Sequence, residues 1–225
     1  MQKTAHWIIS IVIAFGAILI WQFSSSTPVI QKQDDKVEPV ANAAPSPAPA
    51  TEAPNVPITK PANNTKIMQA TLHTTKGDIT IEFDGANTPN TVANFIKLAK
   101  ASFYDGVKFH RVIKGFMIQG GDPFSKDDSQ MDRWGTGSPG YSFADEITPT
   151  NHNAKGTIAM ANSGPNTNGS QFFINAKDNS FLDTKHTVFG KVISGLDVVS
   201  AIENTPIDDN DRPVEAVVIK SIDLK

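Results

Sequence analysis

From Met68 to the C-terminus the chain alternates apolar and polar residues in short runs. MQATLHTT (68–75) and ITIEF (79–83) flank Lys76-Gly77-Asp78 and predict a hairpin of two strands. Further strand-like runs are Val107–Val112, Phe116–Gln119, Gly156–Ala161, Gln171–Asn175, Thr187–Val192 and Ala216–Ile222. Thr88-Pro89 reads as a helix start, with Thr88 as the cap and Pro89 in the first helical position. Val92, Phe95, Ile96 and Ala99 then follow at i, i+3, i+4 and i+7, an apolar stripe suited to packing on a sheet. A second short helix is expected over Gly195–Ile202, with Leu196, Val199 and Ile202 as its stripe. Many short strands with two non-alternating helices predict a mainly β fold, an antiparallel barrel or sandwich with helices outside it. No internal repeat is visible.

The N-terminal third has two other textures. IISIVIAFGAILI lies between Trp7 and Trp21, and Phe23 completes about 17 largely apolar residues. Lys3 and the α-amino group supply the positive charge before them. That length lies between a signal-peptide core and a minimal membrane span, and flanking tryptophans suit the two interfaces of a bilayer. Residues 1–23 are therefore expected to be a hydrophobic helix. An uncleaved anchor is favoured over a signal removed after Ser26, and both over a buried core helix. Residues 24–66 contain eight prolines, seven alanines and no glycine, too few large apolar side chains to fold. They are expected to form a disordered, semi-stiff linker reaching on the order of 100 Å when fully extended. Residues 67–225 form the expected globular domain, displayed outside the cell membrane: at the inner membrane facing the periplasm, or free in the periplasm if the leader is removed.

Composition narrows the chemistry. The chain has 225 residues and a net charge of −3; up to and including Lys66 there are 5 Lys and 4 acids, and after it 15 Lys plus Arg against 19 acids. A mildly acidic globular part argues against a nucleic-acid surface. The absence of cysteine excludes disulfides, thiol catalysis and Cys-based zinc sites. The five histidines, at 6, 73, 110, 152 and 186, show no metal-ligand spacing, so no metal or cofactor is expected. No nucleophile elbow or phosphate-binding glycine loop is present. Asp145-Glu146 reads as solvated surface charge rather than an acid/base pair, and Asp122, after Gly120-Gly121, as a turn or capping residue.

What remains unexplained is FHRVIKGFMIQGGD (109–122). Counted as a strand, Arg111 shares parity with Phe109 and Ile113, which aims a guanidinium the same way as two apolar side chains. Arginine is rarely left in such company without a partner or a task.

FHRVIKGFMIQGGD, GTIAMANSGPNTNGSQFFI (156–174) and FLDTKHTVFGKV (181–192), with GTGSPGYSFADE (135–146) between the first two, strongly resemble the cyclophilin family of peptidyl-prolyl cis–trans isomerases. The resemblance spans about Met68 to Leu224. It implies a closed eight-stranded antiparallel barrel capped by two helices, with a substrate groove on its outer face. It also implies an enzyme that needs no cofactor, acts as a monomer and has proline-containing unfolded or partly folded polypeptides as partners. By the same resemblance, Arg111 is the donor to the prolyl nitrogen and Gln119 the glutamine that orients it and meets substrate. Phe116, Met117 and Phe173 form the proline pocket with Leu182 along its edge, although core packing is the ordinary reading of such residues. Asn162 grips the substrate through its backbone, Ala161 and Gln171 line the groove, and His186 stands at the rim; His110 is supporting only. Phe181 takes the place of a tryptophan common in the family, keeping an apolar wall but losing an N–H donor, which predicts weakened cyclosporin binding. Lys114 stands where eukaryotic members often have proline. The alternative to an enzyme is a cyclophilin-fold chaperone or binding module with little isomerase activity.

Overall fold

The computed structural model describes residues 68–225. The expected hydrophobic helix (1–23) and linker (24–66) lie outside the described residues. Among the described residues no helix is long and apolar enough to cross a membrane.

The hairpin forms as β1 (Gln69–Thr74) and β2 (Gly77–Phe83), followed by helix α1 (Pro89–Lys100). Next come β3 (Arg111–Ile113) and β4 (Met117–Gly120), then β5 (Thr157–Met160), β6 (Phe172–Asn175) and β7 (Val188–Ser194). Helix α2 (Leu196–Glu203) and β8 (Ile219–Leu224) close the order. One eight-stranded sheet results, in the order β3-β4-β6-β5-β7-β2-β1-β8, with every neighbouring pair antiparallel. The sheet is a half-barrel. No regular ladder joins its end strands β3 and β8. Between them there is an isolated bridge, Lys108↔Val218, with hydrogen bonds from Phe109 N to Val217 O and from Ile219 N to Val107 O.

The concave face and α1 share the main core. Val112, Ile118, Ile174 and Ile158 stand opposite one another across β3, β4, β6 and β5, all fully buried. Phe95 of α1 stacks on Tyr104 at 4.9 Å and meets Phe172 and Phe83 edge-on at 5.7 and 5.6 Å. Each such burial contributes about 1.5–3 kcal/mol. The α1 stripe is Val92, Phe95, Leu98 and Ala99, with Ile96 only partly covered. In α2, Val199 and Ile202 are buried, but Leu196, at the first helical position, is 46% exposed and leaves the stripe.

Two expectations about polar residues need correction. Thr88 occupies the N-cap position with Pro89 following it, but its side chain makes no capping bond, because its hydroxyl donates to Asp84 O at 2.8 Å. The helix N-terminus is instead closed by Glu146, whose carboxylate accepts from Asn90 N (3.1 Å), Asn90 Nδ2 (2.9 Å), Thr91 N (2.8 Å) and Thr91 Oγ1 (2.8 Å). A carboxylate there satisfies orphan amides and meets the positive end of the helix dipole. Asp145 is equally engaged, accepting from Asn168 Nδ2 at 2.7 Å and Asn166 N at 2.9 Å. Neither acid is a free surface charge.

Candidate active site

The awkward parity of Arg111 has a structural cause. Phe109 is buried in the main core, whereas the guanidinium side chain of Arg111 is 46% exposed. The ladder with β4 begins only at Arg111, and Phe109 belongs to the separate pairing with residues 217–219. The chain between them is irregular, so strict alternation does not carry across it.

From Arg111 a cross-strand row runs Arg111–Gln119–Phe173–Ala159–Val188. Residues directly opposite in antiparallel strands share a face. This row therefore lies on the face opposite the main core. Beside it lies the pair Ile113–Met117. Met117, Ala159, Phe173 and Leu182 form a second buried apolar cluster, with Ile113, Phe116, Ala161 and Val188 packed against it. The sheet is thus apolar on both sides over these strands, and on the outer side the apolar patch ends at an arginine and a glutamine.

The rim is built by segments outside the strands. Phe181, in the short 3-10 helix Ser180–Leu182, is 62% exposed and stacks on Phe116 at 5.9 Å. His186 meets Phe173 edge-on at 5.4 Å, and its Nδ1 lies 2.9 Å from Met160 O. A carbonyl only accepts, so Nδ1 is the donor in this contact. Past β5, Ala161 N donates to Gln171 O at 3.0 Å. The Asn162 side chain donates to Lys185 O at 2.8 Å, while its backbone N–H and C=O bond to no other described residue.

Amide directions follow from the loop 135–137. Gln171 Nε2 donates to both Gly135 O and Gly137 O at 2.9 Å. Its Oε1 must therefore face Gln119, whose Nε2 donates to it at 3.0 Å. The hydrogen bond of Gln119 thus goes to Gln171, and the charged partner of Arg111 is Asp211, with Nε and Oδ2 3.6 Å apart. The same loop is held from below by Asp122, fully buried, which accepts from Phe124 N at 2.7 Å, from Gly135 N, and from Gly137 N at 3.3 Å. A Cβ on Gly137 would collide with that carboxylate, so this turn requires glycine. Asp122 is the capping residue its position suggests.

His110 lies inside, 4% exposed, and neither ring nitrogen has a hydrogen-bond partner. Burial lowers its pKa to about 4, against the opposing pull of the Asp122 carboxylate, so it stays neutral beside Arg111 at neutral pH. A separate cleft of about 370 Å³ lies among Glu82, Asp84, His152 and Lys191; of the outer cluster it touches only Val188. Sequence reasoning missed Asp211, Arg212 and the loop role of Gln171. The only local signal for Asp211 and Arg212 is a polar turn, TPIDDNDRPVE, that reads as surface.

Residues 69–224 match the family model described as cyclophilin type peptidyl-prolyl cis-trans isomerase/CLD. The peptidyl-prolyl cis-trans isomerase A of Mycobacterium tuberculosis is 48% identical over 173 residues, covering 69% of this chain and 91% of that protein. The peptidyl-prolyl cis-trans isomerase-like 3 of Rattus norvegicus is 46% identical over 159 residues, covering 70% and 96%. Among solved structures, a Cryptosporidium parvum cyclophilin type isomerase superposes with TM-score 0.65 at 34% identity, covering 71% of this chain and 98% of that one. The same protein was also solved in the presence of the dipeptide Ala-Pro, with TM-score 0.64. With the family model covering the whole described sheet, the chain belongs to the cyclophilin-type peptidyl-prolyl cis-trans isomerases.

Proposed function

We propose that this isomerase turns Xaa-Pro bonds in exported or envelope polypeptides, with Arg111 as the donor that lowers the rotational barrier. Rotation breaks no covalent bond, but conjugation imposes a barrier of ~18–20 kcal/mol. An enzyme needs only to bind the twisted amide better than either planar form. Twisting returns a lone pair to the prolyl nitrogen, and an always-charged guanidinium beside it stabilises that state selectively. The second apolar cluster, Met117, Phe173 and Leu182 with Phe116, supports the reading as a seat for the proline ring. Gln119, bonded to Gln171, is the neighbouring polar contact for the peptide. The unpaired backbone groups of Asn162, next to Ala161, suit an extended chain laid along the strand edge, with Phe181 and His186 at the rim. The single observation that carries this reading is the row Arg111–Gln119–Phe173 on the face away from the core. The export reading rests on the apolar segment within residues 1–23 and the proline-rich spacer after it. We take the working unit to be a monomer acting on partly folded proteins at the inner membrane, facing the periplasm.

The test is a proline-isomerisation assay on the full chain and on Arg111→Ala. Loss of about 2.7–4 kcal/mol of transition-state stabilisation, the scale for removing one oxyanion-type donor, corresponds to roughly a 10²–10³-fold fall in kcat/KM. Equal activity of the two proteins overturns the assignment. For the location, the mature protein's mass and its partition between membrane and soluble fractions decide between a retained anchor and a removed leader.

A further inference from the structure

The guanidinium of Arg111 stands at the end of the sheet, on a half-exposed side chain, and no strand neighbour fixes it. Its position is met from another direction, by the loop between α2 and β8. Residues 206–214 form a tight, self-bonded turn. Asp208 N donates to Arg212 O at 2.8 Å, and the Asp208 carboxylate accepts from Asn210 N (2.9 Å) and Arg212 N (3.0 Å). Ile207 bridges Pro213, and Val214 N donates to Pro206 O at 2.9 Å. Within this turn Asp211 has φ 61°, a left-handed conformation that costs a non-glycine residue roughly 1–2 kcal/mol.

That conformation aims two groups of one residue at β3. The Asp211 carbonyl accepts from Val112 N at 2.7 Å, on the edge of the strand. The Asp211 carboxylate reaches Arg111 Nε at 3.6 Å. Residue 211 thus grips the backbone of residue 112 and the side chain of residue 111 together. The turn is itself anchored on its other side: Arg212 Nη2 donates to Met131 O at 3.1 Å, and its guanidinium carbon lies 5.7 Å from the centre of the Trp134 ring. Met131 and Trp134 belong to the segment that leads into the Gly135–Gly137 turn bonded by Gln171.

We propose that Asp211 is a positioning residue for the isomerase reaction, holding the Arg111 guanidinium at its Nε edge so that its four Nη–H donors face the substrate. The argument rests on the reading of Arg111 as the donor to the prolyl nitrogen. Arginine has five N–H donors in a rigid fork, and a carboxylate at Nε restricts the fork without occupying its far end. Because the donor matters in the twisted state and little in the planar ones, loosening it lowers kcat and leaves KM in place. The left-handed backbone is part of the device. It is what lets a single residue bond the strand edge and the side chain at once.

The experiment is a double-mutant cycle on the full chain, with kcat and KM separated by exchange NMR on an Xaa-Pro peptide. Asp211→Asn tolerates the left-handed backbone and removes the charge. Asp211→Gly removes the side chain and adopts φ 61° without cost, so the turn survives. Both variants are expected to lose about two- to fivefold in kcat, the range an exposed ion pair supplies, with KM unchanged. In the Arg111→Ala background, measured at enzyme concentrations that resolve the residual rate, the same substitutions should change kcat by less than about 1.5-fold. Equal losses in both backgrounds would mean that Asp211 only supports the loop, and overturn the proposal. So would unchanged or increased kcat in the Asp211 variants while Arg111→Ala is impaired. Full activity of Arg111→Ala is a separate outcome: it overturns the reading of Arg111 itself, and the role of Asp211 with it.

Discussion

His110 makes the enzyme acid-sensitive, and the size of the effect follows from its surroundings. The ring is 4% exposed with both nitrogens unpaired. Charged groups act on it: the Asp122 carboxylate favours the imidazolium, while Arg111 and Arg212 oppose it. The nearby Lys108 carbonyl also favours the charged form, ahead of the two arginines' opposition, and burial outweighs the pulls toward charge to give a pKa of about 4. In the unfolded chain the group returns to 6.5. Between those values the unfolded state binds a proton that the folded state refuses, so stability falls as pH drops from about 6.5 toward 4. It is fully present above 6.5. The gap of about 2.5 pH units, at 1.36 kcal/mol each, amounts to about 3 kcal/mol, most of it lost by pH 4.5. Urea unfolding of the full chain at pH 7.0 and 4.5 measures it, with His110→Leu as the control. The variant, which removes a buried polar ring, should match the wild type within about 1 kcal/mol at pH 7. It should lose roughly 2–3 kcal/mol less on acidification, because every other titrating group is common to both proteins. Parallel losses in the two proteins, or an NMR titration that puts His110 near 6.5, would refute the reasoning.

Glu146→Gln replaces an acceptor-only carboxylate at the α1 N-terminus with an amide that has a single acceptor oxygen, so two of the four bonds and the charge are lost. A destabilisation of about 1–2 kcal/mol is expected in urea unfolding at pH 7, and an unchanged midpoint refutes the capping role. At the rim, Phe181 offers cyclosporin an apolar wall without a donor, so the wild type should bind it weakly and Phe181→Trp roughly tenfold more tightly in calorimetry. Nanomolar binding by the wild type, with no gain from tryptophan, would sink this expectation.

The positions of all eight strands were legible because each is a short apolar run bounded by turns, and α1 because its stripe has helical spacing. The limits of the reading are those of local pattern. Val107–Val112 looks like one strand, yet it is two pairings, one of Lys108 with Val218 and one of Arg111 with Gln119, and the change between them reverses the expected side of Phe109 relative to Arg111. Glu146 acts on a helix that starts 57 residues earlier, and Asp211 on a residue 100 earlier. No spacing rule links partners so far apart. In local context Asp145-Glu146 and Asp211 are acids in polar turns, and only the fold supplies their partners. The direction of the Gln119 amide is likewise fixed by two backbone carbonyls at 135 and 137, which the sequence presents merely as glycines in a loop.

The same sheet answers why an arginine can sit in an apolar stretch. Val112, Ile118 and Ile174 must face the core, so their neighbours Arg111, Ile113, Met117, Gln119 and Phe173 are forced outward together. Alternation alone would make that outer set solvent-facing and polar. Instead Met117 and Phe173 are 2% and 4% exposed, covered by Leu182 and the residues around it rather than by a second sheet. An outer face this apolar is useful where something apolar must be held against it, and a proline ring has no donor of its own to satisfy. The polar members stand where β3 ends the sheet, so the guanidinium can reach a ligand without being buried. Strand register can place Arg111 at that end, but it cannot fix the orientation of a long side chain. In the proposal above that task falls to Asp211, brought from the far end of the sequence, and the hydrogen bonds within its turn are what hold its left-handed backbone in place.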